Sequence, residues 1–150
     1  MMGAAATRAA TPGSPPLCPS AQPWMDGAVV FGVVGGSESE AWVEYLTESV
    51  AATPDLLALA RGVDPTEVFR IGAPCAGHAC RHFDGADCRL ASKLVQLTPA
   101  ASASLPACSL RPRCRWWRQE GKAACMRCPQ IVTTHHLPSD EMRRAADPVA

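Results

Sequence analysis

Gly27-Ala-Val-Val-Phe-Gly-Val-Val34 is the stretch on which the fold class turns. Its β-branched apolar residues, unbroken by charge or proline, read as a buried strand. Gly35-Gly36-Ser37 then supplies a turn signal, and Ala41-Trp-Val-Glu-Tyr-Leu46 alternates as a second strand would. In that second strand Trp42 and Glu44 share one face, and Val43 and Tyr45 the other. Two such runs around a glycine turn predict a β-hairpin.

Toward the C-terminus the grammar becomes helical. Thr53-Pro54-Asp55 offers a capping hydroxyl, a proline in the first turn and an acid at the positive dipole end, and Gly62 closes the segment. Asp64-Pro65-Thr66-Glu67 repeats that start before Val68-Phe69-Arg70-Ile71, predicting a second short helix. Cys75 to Asp87 is dense in Gly, His, Asp and Cys and reads as a loop. Cys88 to Leu97 has helical apolar spacing, with Asp87 as the expected cap. Thr98 to Pro106 is a small-residue linker, and Trp116 to Lys122 and Ser139 to Ala146 are further short helices, the last one weakly packed.

Toward the N-terminus, residues up to Pro23 are rich in Ala, Pro, Ser and Thr, with Arg8 the one charge. Prolines 12, 15, 16 and 19 interrupt any secretory apolar run, so residues 1–24 read as a disordered leader. No window approaches the roughly 20 apolar residues of a membrane span. The expectation is an α+β protein: hairpin and short-helix scaffold over 25–72, a cysteine-rich, loop-dominated metal- or cluster-binding module over 73–132, and a tail over 133–150. No internal repeat is visible.

Only 5% of residues are aromatic and fourteen are proline, which implies a thin core that a bound metal would help to stabilise. Net charge is zero, but residues 1–69 carry two basic against eight acidic residues and residues 70–150 carry twelve against six. The halves are therefore −6 and +6, with the basic half holding the thiols. Arginines there can balance thiolate charge, or meet a polyanion.

Seven of eight cysteines fall in Cys75-x4-Cys80-x7-Cys88 and Cys108-x5-Cys114-x10-Cys125-x2-Cys128. Thiolates in such density select zinc, copper(I) or iron–sulfur clusters. Structural zinc favours two close pairs, and only Cys125/Cys128 is one. A cluster accepts ligands from separated loops. Cys125-x2-Cys128-Pro129 resembles the end of the bacterial ferredoxin run, although the rest of that spacing is absent.

The candidate ligands are thus Cys75, Cys80, Cys88, Cys108, Cys114, Cys125 and Cys128, with His78 and His82 as further donors. If there is one cluster, Cys114, Cys125 and Cys128 lead, joined by Cys88 or Cys80. Three arrangements stay open: one cluster with spare thiols, two centres with His78 or His82 as eighth ligand, and one cluster beside a redox pair. Disulfides are disfavoured in the cytoplasm, the expected compartment. Cys18, isolated in the leader, reads as a bystander.

Trp116 and Trp117, set among Arg111, Arg113, Arg115, Arg118, Lys122 and Arg127, form the one basic–aromatic stretch. Either they bind nucleic acid or they surround a thiolate site while one tryptophan serves the core. His135-His136 reads as tail. No dinucleotide or phosphate-loop motif and no catalytic triad is present, so a stand-alone enzyme is not expected. The expectation is a small protein binding iron–sulfur, a 4Fe-4S cluster, that serves electron transfer or redox sensing for a partner enzyme. The alternative is a zinc-stabilised module contacting nucleic acid or an acidic protein, with no membrane role.

Overall fold

The structure, a computed structural model, describes residues 15–36, 41–131 and 139–148. Ser37, Glu38, Glu40, His135, His136 and the first 14 residues of the expected leader lie outside the described residues. The fold is α+β, and among the described residues the strands form one four-stranded antiparallel sheet in the order β1-β4-β2-β3. The strands are β1 (Leu17–Cys18), β2 (Val29–Gly36), β3 (Ala41–Ala51) and β4 (Phe69–Pro74).

The expected hairpin is β2–β3, with Val33 opposite Glu44 and Gly35 opposite Trp42. Trp42 Nε1 donates to Glu44 Oε1 at 3.2 Å on the exposed face, as the alternation requires. Helix α1 (Pro54–Leu57) starts under the Thr53 hydroxyl, which accepts from the Leu56 amide. Helix α2 (Pro65–Val68) starts with a full capping box between Asp64 and Glu67.

Beyond Val68 the chain departs from the expected helix. Phe69, Ile71 and Ala73 alternate with Arg70 and Gly72, a period of two that suits a strand. The resulting β4 pairs with both β2 and β1 and so lies inside the sheet. Leu17-Cys18, expected within the leader, is instead paired into the sheet edge opposite Pro74 and Ala73.

Both faces of the sheet are covered. On one, Val30, Phe69, Ile71 and Ala73 pack with Ala21 and Ala60, and with Leu56, Leu57 and Val68 of the short helices. On the other, Phe31 packs with Leu17 and Leu110 beside Tyr45 and Cys108. The register slips between Val30 and Gly32 toward both neighbours: Phe31 is an extra residue against β4, whereas toward β3 the extra residues, 46–49, lie in β3. Val30 and Phe31 are both buried because they point to opposite, covered faces, and the phenyl ring lies on the face that carries Cys108.

The cysteine-rich half contains α3 (Arg89–Leu97), α4 (Arg115–Glu120), α5 (Lys122–Cys125) and α6 (Asp140–Ala146). Its core joins Ala91 and Leu94 to Trp116, Ala124, Ile131 and Ala145. The α3 cap is Cys88 rather than Asp87. Its amide donates to Gln119 Oε1 and its carbonyl accepts from Gln119 Nε2, both at 2.8 Å. Helix α6 packs more firmly than expected. Ala145 is fully buried, Arg89 Nη1 donates to the Pro148 carbonyl at 3.0 Å, and Lys93 Nζ donates to the Asp147 carbonyl. No helix among the described residues is long and apolar enough to cross a membrane.

Candidate functional site

The thiols fall into two groups of four. Cys108, Cys114, Cys125 and Cys128 line one cavity of about 20 Å³, whose other walls include Phe31, Tyr45, Leu110, Arg111 and Trp116. Cys18, Cys75, Cys80 and Cys88 line a second, of about 520 Å³, with His82, Phe83 and again Trp116 in its wall. All eight are free thiols. Among the described residues no three His, Cys, Asp or Glu side chains are already grouped to hold a metal ion. The thiols line the walls of cavities rather than crowd around a point.

The sequence reading grouped Cys114, Cys125 and Cys128 and looked to Cys88 or Cys80 for a fourth. The fold supplies Cys108 to that cavity and places Cys80 and Cys88 in the other. Cys18 is the residue the sequence reading passed over. It sits opposite Ala73 in the β1–β4 ladder, which makes Cys75 its diagonal neighbour on the same face. Such neighbours are roughly 7–8 Å apart. The pairing register is the signal, and it needs the fold to be read.

Local structure explains how each thiol is held. Cys114 precedes α4, and the amides of Trp117 and Trp116 point at its sulfur. Cys88 precedes α3, with the Ala91 and Leu90 amides doing the same. Cys108 receives the Leu110 and Arg111 amides, Cys75 the Gly77 amide at 3.4 Å, and Cys18 the Ser20 amide. Backbone N–H groups at a helix start are natural partners for an anion.

Burial works against that anion. It pushes the Cys18 and Cys114 thiols up to about 12 and the Cys108 thiol to about 11, with the amides opposing. Desolvation also raises Cys88 and Cys125, the latter opposed by Arg111. These sulfurs are poor thiolates on their own. A cation bound in place of the proton reverses the balance, so binding would release protons.

Other polar groups around the sulfurs are buried with at least one atom unpartnered. Arg70 is fully buried, its Nη1 donating to the carbonyls of Cys128 (2.8 Å) and Ile131 (3.0 Å), its Nη2 to that of Pro19 (2.7 Å). The guanidinium stacks over Phe31 at 5.2 Å, and its Nε has no partner. The Tyr45 hydroxyl lies against the Cys128 thiol without a hydrogen bond of good geometry, and burial followed by that thiol raises its pKa. Trp116 Nε1 is likewise buried and lies against the Cys88 sulfur without a hydrogen bond of good geometry.

His82 is half-buried in the second cavity with Nδ1 unpartnered, and burial followed by Lys93, Arg81 and Arg89 holds its pKa down. His78 is exposed and packs edge-on against Phe83 at 5.1 Å. Most arginines of the basic stretch point inward. Arg115 lies over Phe83 at 5.3 Å, Arg111 over Trp117 at 5.4 Å, and Arg127 Nε donates to the Thr98 carbonyl at 2.8 Å. Trp116 is 2% exposed, so it offers no platform for stacking bases.

Compared with protein-family models, with curated proteins and with solved structures, the chain matches none.

Proposed function

We propose that this chain is a small iron–sulfur protein that carries electrons, or reports redox state, for a partner enzyme. The cluster would be a four-iron one held by Cys108, Cys114, Cys125 and Cys128. One observation carries this reading: four thiols line a single small cavity whose other walls are mostly apolar side chains, with Tyr45 and Arg111 among them. Soft sulfur donors in a dry, shielded site suit a cluster, and shielding, nearby charge and hydrogen bonds to sulfur set its potential.

Two arginines support it. Arg70 is buried against three carbonyl dipoles and the Phe31 ring, with no carboxylate partner among the described residues, and a buried unpaired cation costs several kcal/mol. Arg111 lies against the Cys125 thiol. A cluster with its thiolates carries net negative charge, which would offset both. Seating it requires the four sulfurs to move apart, because the free space between them is small.

In function one electron would enter from a reduced carrier protein and leave to an oxidised partner enzyme, with no atom transferred. The acidic first half of the chain, at −6, would favour docking on a basic partner.

Full-length protein purified without oxygen should be brown and contain iron and acid-labile sulfide in equal amounts, with the colour lost in Cys114→Ser/Cys128→Ser. Colourless protein holding stoichiometric zinc would refute the reading and favour the zinc-stabilised module.

A further inference from the structure

The second quartet is the largest feature left unused. Cys18 and Cys75 are set by the β1–β4 register, and the Cys75 amide is tied to the Pro16 carbonyl at 2.8 Å. Cys80 follows a one-turn 3-10 helix at Gly77–Ala79. Cys88 is held by Gln119 at both its amide and its carbonyl. Between the last two, Asp84 Oδ1 accepts from the Ala86 and Asp87 amides at 2.9 and 2.8 Å, and the Arg89 amide donates to the His82 carbonyl at 2.7 Å. The loop returns on itself and brings Cys88 back toward Cys80.

We infer that Cys18, Cys75, Cys80 and Cys88 hold a second four-iron cluster, with Cys18 as the ligand that completes it. The inference extends the proposed function from one centre to two. Eight cysteines then divide into two sets of four with none left over, and no histidine is needed as an eighth ligand. The cavity of about 520 Å³ has room for an inorganic core, and an adjoining one reaches Cys18, Cys80 and Cys88 from the side of α3 and α6.

Trp116 supplies a second, independent argument. Its ring lines both four-thiol cavities, and its buried N–H is aimed at the Cys88 sulfur without a well-formed hydrogen bond. A sulfur ligand of a cluster is an acceptor that would satisfy that buried donor. One indole between two centres also places them close enough for an electron to pass from one to the other. Each centre would gain and lose one electron, taken from a reduced carrier and given to an oxidised acceptor.

The test measures iron and labile sulfide in oxygen-free full-length protein, with electron paramagnetic resonance after full reduction. The inference expects about eight of each per chain and a spectrum broadened by coupling between two centres. In Cys18→Ala/Cys80→Ala both contents should fall to about four, leaving one uncoupled signal.

About four iron in the unaltered chain, unchanged in that variant, would overturn this inference and leave the single-cluster reading standing. Zinc or no metal would overturn both. Alkylation of the unaltered protein covers a variant that fails to fold. Cys18 should resist alkylation until iron is chelated, and equal labelling before and after chelation would contradict the assignment.

Discussion

Arg70 Nη1 donates to the carbonyl oxygen of Cys128 at 2.8 Å, joining residues 58 apart in the chain. The contact fixes the sheet to the last thiol of the cysteine-rich half. Together with the Ile131 and Pro19 carbonyls it makes one guanidinium the meeting point of β4, the Cys128 turn and the segment after β1.

Arg70→Met should therefore be severe. It leaves the Pro19 and Ile131 carbonyl oxygens without their donor and the Cys128 oxygen with the Ile131 amide alone, at about 1–3 kcal/mol for each group left buried and unsatisfied. The expected loss is about 3 kcal/mol or more, read as a fall in melting temperature. Arg70→Lys, which keeps the charge but loses the fork, should recover only part of it.

Gly72 faces Leu110 across the packed sheet. A Cβ there would lie 2.9 Å from one Leu110 methyl and 3.0 Å from the other. Leu110 is 2% exposed and has little room to yield. Gly72→Ala should cost about 1–3 kcal/mol, and Leu110→Ala in the same chain should cost less than the two separate losses added. A thermal-denaturation double-mutant cycle reads the coupling.

Trp116→Phe keeps the buried ring and removes the N–H beside Cys88. Under the two-centre account the more reduced, more negative form loses a hydrogen bond. One midpoint potential should fall by about 40 mV, the equivalent of about 1 kcal/mol for one electron, while the other stays near its original value. Potentiometric titration followed by electron paramagnetic resonance checks this.

Asp84 gives a pH dependence of defined sign. The Asp87 and Ala86 amides hold its carboxyl below the usual range. The stabilisation is present above the unfolded value near 3.9 and is lost as pH falls through the folded one. Amide exchange at Ala86 and Asp87 should accelerate as pH drops below about 4, after correction for intrinsic rates, and should be fast at neutral pH in Asp84→Ala.

Much of the scaffold could be read from the chain alone, because local rules governed it. Alternation gave the β2–β3 hairpin, and the Thr53 and Asp64 starts gave α1 and α2. β4 was hidden because the Asp64 cap runs directly into Phe69-Arg70-Ile71. Only tertiary pairing shows that the helix stops and that the buried Arg70 belongs to a strand. Seven thiols were legible by density, whereas their partition was not. Cys108 joins its cavity beneath Phe31 and Tyr45, and Cys18 joins across a ladder 57 residues away from Cys75. Neither relation leaves a spacing to find.

Iron, zinc and acid-labile sulfide counted per chain, on full-length protein prepared without oxygen and still carrying its visible spectrum, test the central claim most directly. The account predicts iron and sulfide in equal amounts, about eight of each, with broad absorption that bleaches on reduction. Colourless protein, with zinc or with no metal in its thiols, would contradict it.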